Sequence, residues 1–165
     1  MKMKQVDFLL ALLIVLIAVS FSVIVYFRWM GMSFFIGQFR FSHWLTIIGT
    51  SYIAIATPTF VVLKRFYPKK ISGLFRLHIF GNLLFFALIS IHFASQMGRP
   101  AANFPELGTG LVMFIAMSAQ IASGFTQRFM TANRYFKTNK FIHASLIMVF
   151  FAIILFHVLH GLGIT

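Results

Sequence analysis

The sequence predicts an all-α integral membrane fold with five transmembrane helices. Three observations predict it. The chain is 60% hydrophobic, its mean hydropathy is +0.93, and only 10% of its residues are charged. A soluble globular domain carries about 25% charged residues, and a chain this poor in charge cannot cover a water-facing surface. The apolar residues fall in five runs, each close to the roughly 20 residues needed to cross the hydrocarbon core. The runs lack the alternation of strands, and backbone groups in lipid must pair within their own segment, so helices follow.

The runs cover residues 8–26, 44–63, 74–96, 107–125 and 141–162. Lys2 and Lys4 precede the first as the charged head of a signal peptide would. That run is too long for one, and Tyr26, Phe27, Arg28 and Trp29 follow it instead of small residues, so it reads as a retained helix. Pro58 lies inside the second run and predicts a kink. The connections are short. One on the outer side lies near Gly98 to Glu106 and contains Pro100 and Pro105. The reading is one transmembrane domain over residues 1–165, with no repeat.

Composition excludes several chemistries. There is no Cys, which removes disulfides, thiolate metal sites, thiol nucleophiles and covalent attachment of a cofactor through sulfur. Asp7 and Glu106 are the only carboxylates, too few for paired-carboxylate catalysis or a calcium or magnesium cage. The net charge of +12 raises nucleic acid as a partner, but the distribution of the charge answers for topology instead. Lys2, Lys4, Lys64, Arg65, Lys69, Lys70, Arg76, Arg128, Arg134, Lys137 and Lys140 fall on one side of five alternating spans. Arg28, Arg40 and Arg99 fall on the other. The positive-inside rule then places the N-terminus in the cytoplasm and the C-terminus outside the cell membrane.

The histidines carry the chemistry. Ionisable residues within membrane helices are costly and mark function. His78 and His92 lie 14 residues apart in the third run, and His143 and His157 lie 14 apart in the fifth. At about 100° per residue, 14 steps complete four turns less about 40°, so each pair shares one helix face. The rise is about 21 Å, which sets one His near each membrane surface. The third and fifth helices run parallel. His78 and His143 are therefore expected at one inner depth, and His92 and His157 at one outer depth. Two parallel helices offering imidazoles at two matched levels suit two metal centres, and a haem between them would take an axial His from each side. Gly110 and Gly124 in the fourth run are also 14 apart, and small residues admit a close neighbour or a flat ligand. Gly81, three residues after His78, is expected where a side chain would crowd the ring, and Gly49 has the same reading.

The run Arg76-Leu-His78-Ile-Phe-Gly81 followed by His92 resembles the second helix of the cytochrome b of quinol–cytochrome c reductases. His143 to His157 resembles its fourth helix, and Gly110 with Gly124 the paired glycines of its third. The resemblance covers residues 42–162, a four-helix haem-binding bundle of helices two to five, with the first helix an addition. The ferric-reductase-like transmembrane family shows a similar arrangement, including a basic loop like Thr126 to Lys140 leading into a ligand helix. Both families imply two non-covalent b-type haems and electron transfer across the bilayer. There is no second cytochrome b half and no flavin or nicotinamide domain, so the corresponding quinol-oxidation and electron-donor sites do not carry over.

The inner haem iron is thus expected on His78 and His143, and the outer on His92 and His157. Arg76 is a candidate for an inner haem propionate, because Arg grips carboxylates in a planar fork. Arg40 and Arg99 are the outer counterparts. His43 and His160 are open between ligand, proton carrier, quinone contact and interfacial residue. His160 falls about 100° out of line with His143 and is the poorer ligand. Asn82 and Gln96 are read as hydrogen-bonding within the bundle, and Met113 and Met117 as packing. The function expected is a di-haem b-type cytochrome, an electron-transfer subunit of a respiratory or reductase complex. Its partners would be membrane lipid and a separate donor and acceptor, either a redox subunit or a quinone, with no nucleic acid. Two other readings stay open: a haem-free membrane anchor or assembly subunit, and a His-based metal-ion transporter.

Overall fold

The structure, a computed structural model, describes residues 3–104, 108–130 and 133–161. Of the residues named above, Lys2, Pro105 and Glu106 lie outside the described residues, as do the run boundaries at 107 and 162. The fold is all-α, with helices α1 (Met3–Tyr26), α2 (Phe41–Phe66), α3 (Ile71–Met97), α4 (Gly108–Phe125) and α5 (Phe136–Gly161). All five are long and apolar enough to cross a membrane. The helices α2, α3 and α5 outrun their apolar segments. The apolar window reports only the hydrocarbon-crossing part, while the backbone ladder continues through the flanking Lys64, Arg65, Lys137 and Lys140. Helix α2 runs through Pro58.

One feature departs from the expectation of helices alone. The α1–α2 connection contains a short antiparallel pair, β1 (Phe35–Ile36) and β2 (Phe39–Arg40). Gly37 opens its two-residue turn at φ +62°, the conformation that primed hairpin turns require. Trp44 Nε1 donates to the Ile36 carbonyl at 3.0 Å and ties the hairpin to α2. Trp29, Phe34 and Phe35 are exposed around it, as aromatic side chains are at a membrane–water boundary. Helix α1 ends in paired reverse bonds, Trp29 N–H to Ile24 O and Arg28 N–H to Val25 O. Arg28 takes the left-handed position (φ 61°) that glycine usually fills.

The chain divides into two compact units, Met1–Pro105 and Glu106–Thr165. In the first, α3 packs against both α1 and α2. The buried residues of α1 are Asp7, Ala11, Ala18 and Val25, a stripe at spacings of four, seven and seven residues whose alanines admit a close neighbour. At one end of the α1–α3 pair Arg76 reaches Asp7, and at the other the Gly98 position abuts the Tyr26 carbonyl. The two helices therefore run parallel, as two spans separated by a third must. Gly49 of α2 lies against Phe85 O (2.9 Å from where a Cβ would stand) and Ile89 of α3. It sets a close α2–α3 approach.

In the second unit α4 and α5 form an antiparallel pair. Gly110 lies on His157 and Gly124 on His143. The same register brings Met117 level with Phe150, and each is only 2% exposed. This pair of large apolar side chains is the packing layer midway between two imidazole levels. Beyond α4 the chain continues as a single π-helical turn, Thr126–Met130, before α5 begins.

Candidate functional site

His143 and His157 of α5 rest on the same two-part seat, a glycine and a hydroxyl. A Cβ on Gly124 would stand 2.9 Å from His143 Cε1, and one on Gly110 would stand 3.3 Å from His157 Cε1. The residue before each glycine supplies a hydroxyl. Ser123 Oγ lies 3.0 Å from His143 Nδ1, and Thr109 Oγ1 lies 3.0 Å from His157 Nδ1. A hydroxyl residue and a glycine thus recur 14 positions apart on α4, facing two histidines 14 positions apart on α5. The glycines were expected to make room for a flat ligand; here each makes room for an imidazole ring.

The first unit holds the other two expected ligands. His92 Nδ1 lies 3.0 Å from the backbone carbonyl of Ser42. A carbonyl only accepts, so Nδ1 carries the proton and Nε2 keeps its lone pair. The His43 ring lies edge-on to His92, with centroids 5.0 Å apart. His78 Nδ1 meets the Asn82 side-chain amide at 3.2 Å, one helical turn on. The ring stacks on Phe60 at 4.4 Å and lines a mainly apolar cavity of about 230 Å³ with Tyr52, Phe60, Leu74 and Leu77. Burial and the neighbouring Arg40 charge both lower the Arg99 guanidinium from its usual value.

Two expected cofactor contacts have protein partners instead. Arg76, a candidate for a haem carboxylate, grips a carboxylate of the protein. Its Nε and Nη2 lie 3.0 and 2.8 Å from Asp7 Oδ1. Asp7 is 1% exposed and the Arg76 side chain 43%. Gly81, expected to spare a haem ring, gives its space to Tyr52. The Tyr52 hydroxyl abuts the Gly81 position, its ring stacks on Phe85 at 3.9 Å, and its hydroxyl donates to Leu77 O at 3.4 Å. Gly81→Ala is expected to destabilise the chain by about 1–3 kcal/mol through this clash. The double variant Gly81→Ala/Tyr52→Ala should recover part of that loss in thermal unfolding. A Gly81→Ala chain of unchanged stability that loses bound haem would return Gly81 to the cofactor.

No protein-family model, curated protein or solved structure matches this chain. The geometry alone therefore carries the functional argument. Among the described residues no three His, Asp or Glu side chains gather as a metal cage built wholly from protein would need. What recurs is single imidazoles. All four histidines of the 14-residue pairs have Nδ1 engaged by protein: His78 by Asn82, His92 by Ser42, His143 by Ser123 and His157 by Thr109. Such contacts orient a ring, and where the partner accepts, as the Ser42 carbonyl does for His92, a proton held on Nδ1 leaves Nε2 as the electron-pair donor; at His78 the Asn82 amide nitrogen donates, so Nδ1 is the acceptor there. The sequence reading missed Thr109, Ser123, Ser42 and Gln120. For Thr109 and Ser123 a signal was present, since each directly precedes one of the paired glycines.

Proposed function

We propose that the chain is a di-haem b-type cytochrome that carries electrons across the cell membrane as a subunit of a respiratory or reductase complex. The observation that supports this most is the repetition: one hydroxyl–glycine seat under one imidazole, at two levels of one helix pair. Packing alone has no reason to repeat a polar constellation after 14 residues within a hydrocarbon-crossing segment.

An imidazole held through Nδ1 is a donor of the kind that haem iron takes, which supports the reading. Each haem would be held by one imidazole from α3 and one from α5, His78 with His143 on the inner side and His92 with His157 on the outer. When bound, haem iron changes oxidation state by one electron, and the protein tunes it through axial ligand, hydrogen bonding and dielectric. The chain's own contribution is to hold the four rings by Nδ1, to stack Phe60 on His78 and to separate the two levels with the buried Met117 and Phe150. With the basic residues placed by the positive-inside rule, the His78 and His143 levels face the cytoplasm. The electron donor and acceptor would be separate: a redox subunit or a quinone at each surface.

The test is a reduced-minus-oxidised spectrum of the protein purified in mild detergent, with its haem-to-chain ratio. A b-type spectrum with two haems per chain is expected. One haem would make one pair of histidines structural. A colourless protein, produced with adequate haem supply, would overturn the reading in favour of a membrane anchor or a metal-ion transporter.

A further inference from the structure

The two hydroxyls that face α5 differ in where their proton goes. A hydroxyl has one O–H and two lone pairs. Ser123 Oγ donates to the backbone carbonyl of Gln120 at 2.9 Å, so the side it turns to His143 Nδ1, 3.0 Å away, is a lone pair. Nδ1 then carries the ring proton. The Gln120 side chain agrees: its Nε2–H points at His143 Nε2 at 3.4 Å, where only a lone pair can accept. Asn139 Nδ2 donates to the Ser123 carbonyl at 3.0 Å and holds the residue in register from α5 itself. Among the described residues Thr109 Oγ1 has no such carbonyl acceptor; its hydrogen bond is to His157 Nδ1.

We propose that Ser123 is the positioning residue that fixes the His143 proton on Nδ1, through a relay ending on the Gln120 carbonyl, and so presents Nε2 as the electron-pair donor. The relay Nδ1–H to Oγ–H to O=C polarises in one sense. It makes His143 a stronger donor than an imidazole bonded to an isolated hydroxyl. Among the described residues this relay is seen at His143 and not at His157. The consequence for an iron centre rests on the haem reading; the relay itself does not.

The experiment uses the full chain labelled with 15N-histidine in detergent, first without haem and then loaded. His143 is assigned by the signal lost in a His143→Gln chain. Without haem, wild type and Ser123→Thr are expected to show the Nδ1–H tautomer at His143, and Ser123→Ala a mixture. In the loaded chain, Ser123→Ala should raise the midpoint potential of one haem and weaken its retention about tenfold or more, as loss of such partners does at metal sites. Ser123→Thr should restore both. If Ser123→Ala does not fold, Ser123→Cys, similar in size with a weak donor, takes its place. An unchanged tautomer in the Ala or Cys chain overturns the relay. A wild-type chain that takes up no haem overturns the proposed function instead, with the relay still decided by the haem-free spectra.

Discussion

If the chain binds two haems as proposed, replacing His92 with alanine is expected to remove one of them and stop electron transfer across the bilayer, while the other keeps its spectrum. The expectation follows from the way His92 is held. Its Nδ1–H donates to the Ser42 carbonyl at 3.0 Å, which orients the ring and leaves the lone pair on Nε2. No conservative side chain at 92 restores both the acceptor contact and an imidazole nitrogen, so the loss should be close to complete. His43 provides the control. Its ring lies 5.0 Å from that of His92 in the same unit, near enough to be mistaken for the ligand. His43→Ala should keep both haems. Loss of haem from His43→Ala together with retention by His92→Ala would move the ligand by one ring. Retention of both haems and full transfer in His92→Ala would end the assignment. Haem content by pyridine haemochrome and transfer in sealed vesicles separate these outcomes.

The second large effect concerns stability. Arg76→Ala should destabilise the chain by about 2–3 kcal/mol, because it removes an ion-pair partner of the buried Asp7 carboxylate. The loss is smaller than for a fully buried pair because the Arg76 side chain is 43% exposed, and solvent screens part of the attraction. Asp7→Asn removes the charge and keeps the shape, and should cost about 1 kcal/mol. The Asp7→Ala/Arg76→Ala chain should be more stable than Arg76→Ala alone. Unfolding in mild detergent measures all three. The same variants decide what Arg76 serves. If Arg76 holds α1 to α3, the Arg76 and Asp7 variants lose stability together and leave haem potentials alone. If Arg76 also meets a haem carboxylate, Arg76→Ala shifts one potential and Asp7→Asn does not.

Much of the fold was legible in the residues because membrane spans are local. A run of apolar residues long enough to cross the bilayer has few alternatives, since its backbone must satisfy itself. The 14-residue spacing of the histidines and of the glycines was legible for a similar reason, as helical periodicity converts sequence separation directly into angle and height. Partners were less legible. Arg76 was read against a cofactor because the sequence shows its charge and its place beside His78. Asp7, 69 positions away, is brought to it only by the parallel packing of α1 on α3. Gly81 was read as room for a ring, and it is room for a ring, but that of Tyr52 from the neighbouring helix. The hairpin at Phe35–Arg40 escaped because two residues per strand leave no alternation to detect.

The sequence by itself determined that the chain forms five membrane-length helices, and which histidines and glycines stand one above another on them. Both follow from length, hydropathy and pitch, which each segment carries alone. Only the tertiary structure decided what each of those residues touches. Antiparallel register seats His143 on Gly124 and His157 on Gly110, and helix packing delivers Asp7 to Arg76 and Tyr52 to Gly81. Ser123 shows the difference best. Its neighbour Gly124 marked the position, but the direction of its hydroxyl proton depends on a carbonyl in its own helix and an imidazole in another. A hydrogen bond has a direction only when both of its partners are in place.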